Sequence, residues 1–354
     1  MTPLQPGDCL DHYRLEALVA RGGMASIFRA MDLRTGRQFA IKVPHPEAEC
    51  DVAFFERFRR EALICREMDH AGVVKAMDEE ESQSRVYMVM EWVEGRLLRE
   101  VLAEEGALPP ERAIRIALGI CDALDHIHAR GVVHRDLKPE NVMIDAEDHV
   151  KLIDFGIGAK AGARRLTFGK LSNIMGTAEY ISPEQVQGKR GDARSDLYAL
   201  GIVLYEMLTG RTPFEGSNPF ALMNARLKTA PVPAREIVPD LSPQLDSILS
   251  RALERNPDFR YGSAREFACD LGHQDQAGLA ERAAPGGRER RRQLLPKEVL
   301  LYGALAAVPV MILALMLYVA RIRYNRSSED RRLSHPGRLV CPGCGRPDDA
   351  TLGR

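Results

Sequence analysis

The chain has 354 residues and a formal net charge of −1, from 49 Lys and Arg against 50 Asp and Glu. With 45% hydrophobic and 28% charged residues, its composition excludes a disordered or collagen-like chain, and the length allows about two domains or one large two-lobed one. The charge is unevenly spread, because residues 282–354 hold 14 Lys and Arg against 6 Asp and Glu, whereas residues 1–281 hold 35 against 44. An acidic body is therefore followed by a basic tail.

We expect no secretory signal, because residues 1–15 lack the basic and the apolar regions of such a peptide. Cysteines are scattered through the acidic body without a recurring spacing, as Cys9, Cys50, Cys65, Cys121 and Cys269. This distribution is typical of reduced thiols in a cytosolic domain.

Short alternating segments in residues 13–44 predict antiparallel strands joined by glycine-containing turns. One turn, Val19–Ile27, offers backbone amides that can approach phosphate oxygens closely, although a plain glycine hairpin explains it equally well. Lys42 ends a later apolar strand, from which it can reach phosphates near this turn. A helix predicted over Asp51–Met68 carries Glu61, a candidate partner for that lysine.

Helical spacing dominates from Pro109 onward, where apolar residues recur on one face of a predicted helix. The segment Ser195–Gly210 is apolar on nearly every side, but it is too short for a membrane span and contains Asp196 and Glu206. We interpret it as a buried central helix. The predicted architecture is a small β-rich lobe followed by a larger helical lobe.

The most informative segment is His134–Asn141, with the sequence HRDLKPEN, which is followed by the DFG sequence at Asp154–Gly156. Together with the earlier segments, these motifs resemble the protein kinase family over Tyr13–Leu271. Lys138 and Gly176-Thr177 are similar to the Ser/Thr members rather than to the tyrosine kinases. The resemblance is to bacterial eukaryotic-like (Hanks-type) Ser/Thr protein kinases, and it implies an α+β, bilobal protein kinase fold.

The resemblance implies roles for the residues of the catalytic loop. Asp136 would accept and orient the substrate hydroxyl, and Lys138 would contact the γ-phosphate. Asn141 and Asp154 would hold Mg²⁺, with Mn²⁺ as an alternative metal. These residue types suit phosphoryl transfer, because that reaction depends mostly on positioning and on neutralising the charge of oxygens.

ATP is the implied cofactor. Lys42, paired with Glu61, would hold its α- and β-phosphates, and backbone groups of the hinge residues Glu91 and Val93 would face adenine. The remaining implied contacts come from the glycine loop, as Val19, Ala20, Arg21, Gly22, Gly23, Met24, Ala25, Ser26 and Ile27.

Two residues of this loop depart from the family pattern. Ala20 and Ala25 occupy places where the family usually has glycine, so each adds a Cβ near the phosphates and could weaken nucleotide binding or stiffen the loop. Gly22 remains at the second glycine position, and Gly-Gly-Met is the form common in bacterial members. We expect a modest effect on binding.

Two further motifs have structural roles in the family. Ser182–Glu184 resembles the Ala-Pro-Glu motif, whose glutamate would here pair with Arg260. Asp196 would support the catalytic loop. Both predictions concern residues far apart in sequence, so the fold tests them directly.

The activation segment, Asp154–Glu184, contains the candidate phosphorylation sites Thr167 and Ser172, although both are equally well read as ordinary exposed hydroxyls. Arg135 holds the position from which family members bind an activation-loop phosphate. Thr177 is assigned to the substrate-facing loop. Basic residues that could add bonds to a phosphate are Lys160, Arg164, Arg165 and Lys170.

The basic tail contains 22 residues without a charge, Val299–Ala320. A helix of this length reaches about 33 Å, enough for a hydrocarbon core of about 30 Å, so we predict a transmembrane helix at 299–320 rather than a buried core helix. Lys and Arg flank both ends equally, which leaves the orientation open. Because a kinase needs cytosolic ATP, we expect a cell-membrane protein with a single span and a cytoplasmic kinase domain.

The predicted domain boundaries combine these inferences. They are a protein kinase domain at 13–272 with an N-lobe at about 13–91 and a C-lobe at about 94–272, a basic juxtamembrane linker at 273–298, the transmembrane helix at 299–320, and a short tail at 321–354. The tail carries Cys341 and Cys344, with only His335 as a further nearby zinc ligand. A disulfide and an intermolecular zinc site both stay open.

The predicted function is transfer of the γ-phosphate of ATP to Ser/Thr hydroxyls of proteins, including the chain itself, in membrane-associated signalling. A membrane-tethered pseudokinase scaffold is the alternative, which the two loop alanines favour. The presence of Lys42, Glu61, Asp136, Asn141 and Asp154 favours the active enzyme. We expect protein substrates, a membrane contact, no nucleic acid, and a homodimer where autophosphorylation occurs in trans.

Overall fold

The structure, a computed structural model, describes residues 4–49, 52–77, 84–154 and 179–274, together with Met316 and Tyr318. The chain divides into two units, Met1–Arg282 and Ala283–Arg354, and every element given below belongs to the first. Its element order confirms a β-sheet lobe followed by a helical lobe.

The N-terminal lobe contains a five-stranded antiparallel sheet whose strands are in sequence order. They are β1 (Cys9–Leu10), β2 (Tyr13–Arg21), β3 (Ala25–Asp32), β4 (Gln38–Pro44) and β5 (Met88–Glu91). Alternate residues of β3 are buried, because successive side chains of a strand point to opposite faces of the sheet. Phe28, Ile41 and Val89 form part of the core on one of these faces. Strand β1 lies just N-terminal to Tyr13, the first residue of the predicted kinase domain.

Two helices follow β4, namely α1 (Pro46–Glu49) and α2 (Val52–Glu67). The second confirms the helix predicted over Asp51–Met68. Phe58, Glu61 and Cys65 are buried along α2 at the spacing of one helix face. This packing brings the carboxylate of Glu61 to the strand that carries Lys42.

The helices described for the C-lobe are α3 (Leu98–Glu105), α4 (Pro110–Ala129), α5 (Pro183–Val186), α6 (Ala193–Thr209), α7 (Pro219–Lys228), α8 (Ala234–Ile237), α9 (Pro243–Ala252) and α10 (Ala264–Gly272). Helix α6 is buried at every residue from Ser195 to Thr209, which confirms the predicted central helix. It begins at the N-cap Asp192, whose side chain accepts the N–H of Arg194, and ends at Gly210 with a left-handed φ of 70°.

A small three-stranded sheet positions the catalytic segments. Its strands are β6 (Arg96–Leu97), β7 (Val142–Ile144) and β8 (Val150–Leu152), in that order. A 3₁₀ turn at Pro139–Asn141 leads the catalytic loop into β7, and Asp154 lies just beyond β8. Because β7 and β8 are paired, the two metal-binding candidates, Asn141 and Asp154, come to the same end of the sheet.

No helix in the part of the chain that the structure describes has both the length and the apolar composition needed to cross a membrane. The predicted span at 299–320 lies outside the described residues, apart from Met316 and Tyr318. The same is true of the tail and of the linker from residue 275 onward.

Candidate active site

A cavity of about 1230 Å³ lies between the two lobes. The β2–β3 turn lines it from the N-lobe, Met90–Gly95 line one side, and the catalytic loop lines it from the C-lobe. Most of the sequence-predicted nucleotide contacts lie on this cavity, namely Val19, Ala20, Arg21, Gly22, Met24, Ala25, Ile27, Lys42, Glu61, Glu91 and Val93. Lys138, Asn141 and Asp154 lie on it as well.

Two of the predicted contacts, Gly23 and Ser26, are not among the residues that line the cavity. Ser26 follows Ala25 and precedes Ile27, which both face the cavity. Because strand residues alternate between the two faces, the side chain of Ser26 points the other way, where it is buried at 8% exposure against His45. The side chain of Ser26 is therefore turned away from the cavity, and the predicted nucleotide contact of this residue concerns its backbone.

Lys42 lies between two carboxylates that come from different parts of the chain. Its Nζ is 2.7 Å from Oε1 of Glu61 on α2 and 3.1 Å from Oδ1 of Asp154. The predicted pairing with Glu61 is confirmed. Holding the ammonium from two sides fixes the direction of a long flexible side chain, so that it reaches the cavity in one arrangement.

The charges of these three groups depend on one another. Burial disfavours the charge on Lys42, but Asp154 and then Glu61 outweigh this effect and raise its pKa above the ordinary value. Burial raises the pKa of Glu61 to about 8, against the opposing effect of Lys42 and with a further contribution from Asp154. One ammonium cannot neutralise two carboxylates, so the more buried Glu61 takes up the proton more readily. A cation bound at Asp154 would remove this repulsion and favour the ionised form of Glu61.

Asp136 is held in a fixed orientation by its own loop. Nζ of Lys138 donates to Oδ2 of Asp136 at 2.8 Å. Nδ2 of Asn141 donates both to the backbone carbonyl of Asp136 at 2.7 Å and to its Oδ2 at 3.2 Å. These bonds, which all come from residues of the same loop, orient the carboxylate. The arrangement suits a group that must meet a substrate hydroxyl at a defined angle.

The start of the catalytic loop is anchored by Asp196 of α6, which confirms the predicted supporting role. Its carboxylate accepts the N–H of His134 at 2.8 Å, the N–H of Arg135 at 2.7 Å and Nε2 of His128 at 2.8 Å. Arg135 has a positive φ of 65°, a strained conformation for a residue other than glycine. The two backbone bonds to Asp196 offset this strain and hold the loop in place.

Glu184 and Arg260 form the predicted ion pair. Both guanidinium Nη atoms donate to the carboxylate at 2.8 Å, and the hydroxyl of Ser195 donates to it at 2.6 Å. Arg260 is only 3% exposed. Burial alone would raise the pKa of Glu184, but the bonds from Arg260 lower it overall, so the carboxylate stays ionised. The neighbouring Gln185 donates to the carbonyl of Arg135, which connects this pair to the catalytic loop.

Sequence reasoning missed a charged cluster next to the catalytic loop, centred on Arg99 of α3. Nη1 of Arg99 donates to Glu206 at 2.7 Å, and its Nε donates to Glu140 at 2.9 Å. The hydroxyl of Tyr180 bonds to both Arg99 and Glu206. Glu140 belongs to the HRDLKPEN motif, which could have pointed to it, whereas no local pattern marks Arg99. The cluster connects α3, the catalytic loop and α6.

The hinge residue Glu91 uses its side chain to connect both lobes. Its carboxylate accepts the backbone N–H of Lys75 at 2.9 Å and Nζ of Lys151 at 2.8 Å. Its own N–H donates to the carbonyl of Lys75 at 3.0 Å. The carbonyl of Glu91 is therefore the backbone group of this residue that can face adenine.

Asn141 and Asp154 offer oxygen atoms of the kind that hard divalent cations prefer. Because Nδ2 of Asn141 is bonded to Asp136, its amide oxygen is the atom left to act as a ligand. The N–H of Ile153 donates to the carbonyl of Asn141 at 3.1 Å, which holds the two ligand-bearing segments together. These donors fit a divalent metal ion such as Mg²⁺ or Mn²⁺.

Several predicted residues lie outside the described ones. They are Phe155 and Gly156, the activation-segment residues Lys160, Arg164, Arg165, Thr167, Lys170, Ser172, Gly176 and Thr177, and His335, Cys341 and Cys344 of the tail. Their assignments stay predictions.

Comparison with known proteins agrees with this geometry. The family model described as Protein kinase domain matches residues 13–270. The chain is 39% identical over 281 residues to a probable serine/threonine-protein kinase, PknB, of Corynebacterium glutamicum, covering 77% of this chain and 44% of that protein. It is 39% identical over 270 residues to the serine/threonine-protein kinase PknB of Mycobacterium tuberculosis, covering 75% of this chain and 43% of that protein.

Among solved structures, the chain is similar to the PknI kinase domain of Mycobacterium tuberculosis. The TM-score is 0.60 at 27% identity, with coverage of 77% of this chain and 100% of that structure. The chain spans less than half the length of the curated relatives given above.

Proposed function

Because the chain belongs to the protein kinase family, with bacterial Hanks-type Ser/Thr kinases as relatives, we propose that it is an active enzyme that transfers the γ-phosphate of ATP to Ser and Thr hydroxyls of proteins, including its own. The observation that carries the proposal is the arrangement around Lys42, which is bonded to Glu61 and Asp154 at the edge of the same cavity that Lys138 and Asn141 line. The retention of these residues favours catalysis over the pseudokinase alternative.

In the proposed reaction, Asp136 accepts the hydrogen bond of the substrate hydroxyl and aligns its oxygen with the γ-phosphorus. Lys138, whose Nζ lies 2.8 Å from Asp136, is placed to neutralise charge that develops on the γ-phosphoryl oxygens. The two side chains therefore act on the attacking oxygen and on the phosphoryl group that it attacks.

The other phosphates are held from the N-lobe. Lys42 binds the α- and β-phosphates, and its bond to Glu61 keeps the ammonium aimed into the cavity. When bound at Asn141 and Asp154, Mg²⁺ supplies further neutralisation of phosphate charge. The carbonyl of Glu91 and the backbone of Val93 orient the adenine ring.

Phosphate transfer can be measured directly. Incubation of the full 354-residue chain with Mg²⁺ and ATP labelled at the γ-phosphorus should label the chain on Ser and Thr residues, and chelation of the metal should abolish the labelling. We propose Thr167 and Ser172 as acceptor sites, which mass spectrometry of the labelled chain would locate. Labelling whose rate per molecule rises with protein concentration would indicate transfer between two copies. Failure to label either the chain or a general Ser/Thr acceptor protein would contradict the proposed activity.

We also propose that the enzyme is a single-pass membrane protein whose kinase domain faces the cytoplasm. The uncharged segment at 299–320 supports the span, and the need for ATP supports the orientation. The full chain should remain in the membrane fraction after alkaline extraction, and Val308→Arg with Ile312→Arg should release it, because an arginine at the centre of a span costs about 2.5–3.5 kcal/mol.

A matched control for this experiment is Ser328→Arg, which adds a charge outside the predicted span and should leave the chain in the membrane fraction. Extraction of the unaltered chain would contradict the span. Protection of the C-terminus from protease in spheroplasts would contradict the orientation.

A further inference from the structure

A part-buried hydroxyl–imidazole pair joins β3 to the residue that follows β4. Oγ of Ser26 lies 2.9 Å from Nε2 of His45. Ser26 is 8% exposed, and neither residue lines the cavity. A pair that does not reach the cavity acts on the nucleotide only through the backbone that it holds.

His45 binds the same turn a second time through its main chain. Its N–H donates to the carbonyl of Met24 at 2.8 Å. His45 lies between Pro44, the last residue of β4, and Pro46, the first residue of α1. Because proline restricts both its own φ and the conformation of the residue before it, His45 is a stiff point from which to hold a turn.

The residues that His45 holds are next to those that face the cavity. Met24 and Ala25 line the cavity, and the N–H of Gly22 donates to the carbonyl of Ala25 at 2.9 Å, which closes the tip of the turn. Lys42 lies on the strand that ends just before His45. The pair thus connects the tip of the turn to the strand that carries the phosphate-binding lysine.

We infer that His45 is a positioning residue, which holds the tip of the β2–β3 turn against the nucleotide phosphates through Oγ of Ser26 and the carbonyl of Met24. The inference rests on the proposed function, because it assumes that the cavity binds ATP. A turn containing Gly22 and Gly23 has much conformational freedom, and bonds that order it before binding reduce the entropy lost on binding. Loss of these bonds should therefore weaken the binding of ligands that carry phosphates and leave the binding of adenine unchanged, since adenine is held at the hinge.

The test compares a nucleotide with its phosphate-free part. Titration calorimetry of the full chain would measure Kd for AMP-PNP with Mg²⁺ and, separately, for adenosine. Ser26→Ala and His45→Ala should each raise Kd for AMP-PNP about two- to tenfold, as expected for one lost hydrogen bond, and leave Kd for adenosine unchanged. The double variant should have a Kd for AMP-PNP no higher than that of the single variant with the higher Kd, because both changes remove the same bond.

Three further variants serve as controls. Ser26→Thr keeps the hydroxyl and His45→Gln keeps a polar group at a similar reach, so both should bind AMP-PNP nearly as the unaltered chain does. Thr35→Ala removes a hydroxyl that donates to Asp32 at 2.8 Å, at the far end of the β3–β4 hairpin, and should leave both Kd values unchanged. A general loss of stability would affect adenosine as well, so selectivity for the phosphates identifies positioning.

The outcomes separate the inference from the proposed function. Unchanged binding of AMP-PNP by Ser26→Ala and His45→Ala, or equal weakening of adenosine and AMP-PNP, would overturn the inference and leave the kinase proposal intact. No binding of AMP-PNP by the unaltered chain would overturn both. If His45→Ala does not fold, the comparison of Ser26→Ala with Ser26→Thr decides the matter.

Discussion

Asp136→Asn should lower the rate of phosphoryl transfer by about 10²–10⁴-fold, the usual contribution of a positioned acid–base group. The asparagine has nearly the same shape, but it replaces a carboxylate oxygen that accepts bonds from Lys138 at 2.8 Å and from Asn141 at 3.2 Å. An amide cannot accept the proton of the substrate hydroxyl. The rate of labelled phosphate incorporation, measured at saturating ATP, would show the loss.

Nucleotide binding should survive this change, because Asp136 is not among the residues that line the cavity. Asp122→Asn is a matched control in the same lobe. The Asp122 side chain is 77% exposed, and its carboxylate lies 3.2 Å from Nε2 of His70, a surface contact that contributes little to stability. It should leave the rate unchanged. A transfer rate within threefold of the unaltered chain in Asp136→Asn would argue against the assigned role of Asp136.

Arg260→Met should lower the free energy of unfolding by about 3–5 kcal/mol, because it leaves the buried carboxylate of Glu184 without its charged partner. The guanidinium also donates to the backbone carbonyls of Arg194, Glu254 and Arg255, which would lose a donor. Methionine is close in length to the arginine stem, so the lost contacts are mainly polar. Urea denaturation followed by circular dichroism would measure the change.

Arg265→Met is the control for charge removal. The Arg265 side chain is 84% exposed, and it forms an ion pair with Asp125 at 3.0 Å. Such a surface pair contributes about 0–1 kcal/mol. If Arg260→Met destabilises the chain no more than Arg265→Met does, the buried pair does not support the C-lobe in the way described.

The catalytic loop could be predicted from sequence because its geometry is local. Asp136, Lys138 and Asn141 bond to one another within a single motif, so the motif contains most of the arrangement. Lys42 and Asp154 are 112 residues apart, and no pattern in the sequence indicates that their side chains bond to each other. Glu184 and Arg260 are 76 residues apart, and only the family resemblance predicts that they meet.

The features that the sequence does not indicate are contacts between distant segments, which no local pattern records. Ser26 belongs to the loop motif, and the alternation of β3 turns its side chain away from the cavity, but its contact with His45 depends on how β3 and β4 are paired. Arg99 joins Glu140 to Glu206 across three separate segments, and an arginine on α3 resembles any other surface charge in sequence. Positions of this kind depend on tertiary neighbours.

The burial of α6 on all sides has a consequence for the synthesis of the chain. An apolar helix without a polar face is not stable in water, so α6 becomes ordered only when the rest of the C-lobe surrounds it. Asp196, which accepts the N–H of His134, lies 62 residues further along the chain and is synthesised later. Arg260, the partner of Glu184, is synthesised later still. A nascent chain that has just emerged through the HRDLKPEN motif therefore contains Asp136, Lys138 and Asn141 but lacks Asp196, the residue that anchors the start of their loop.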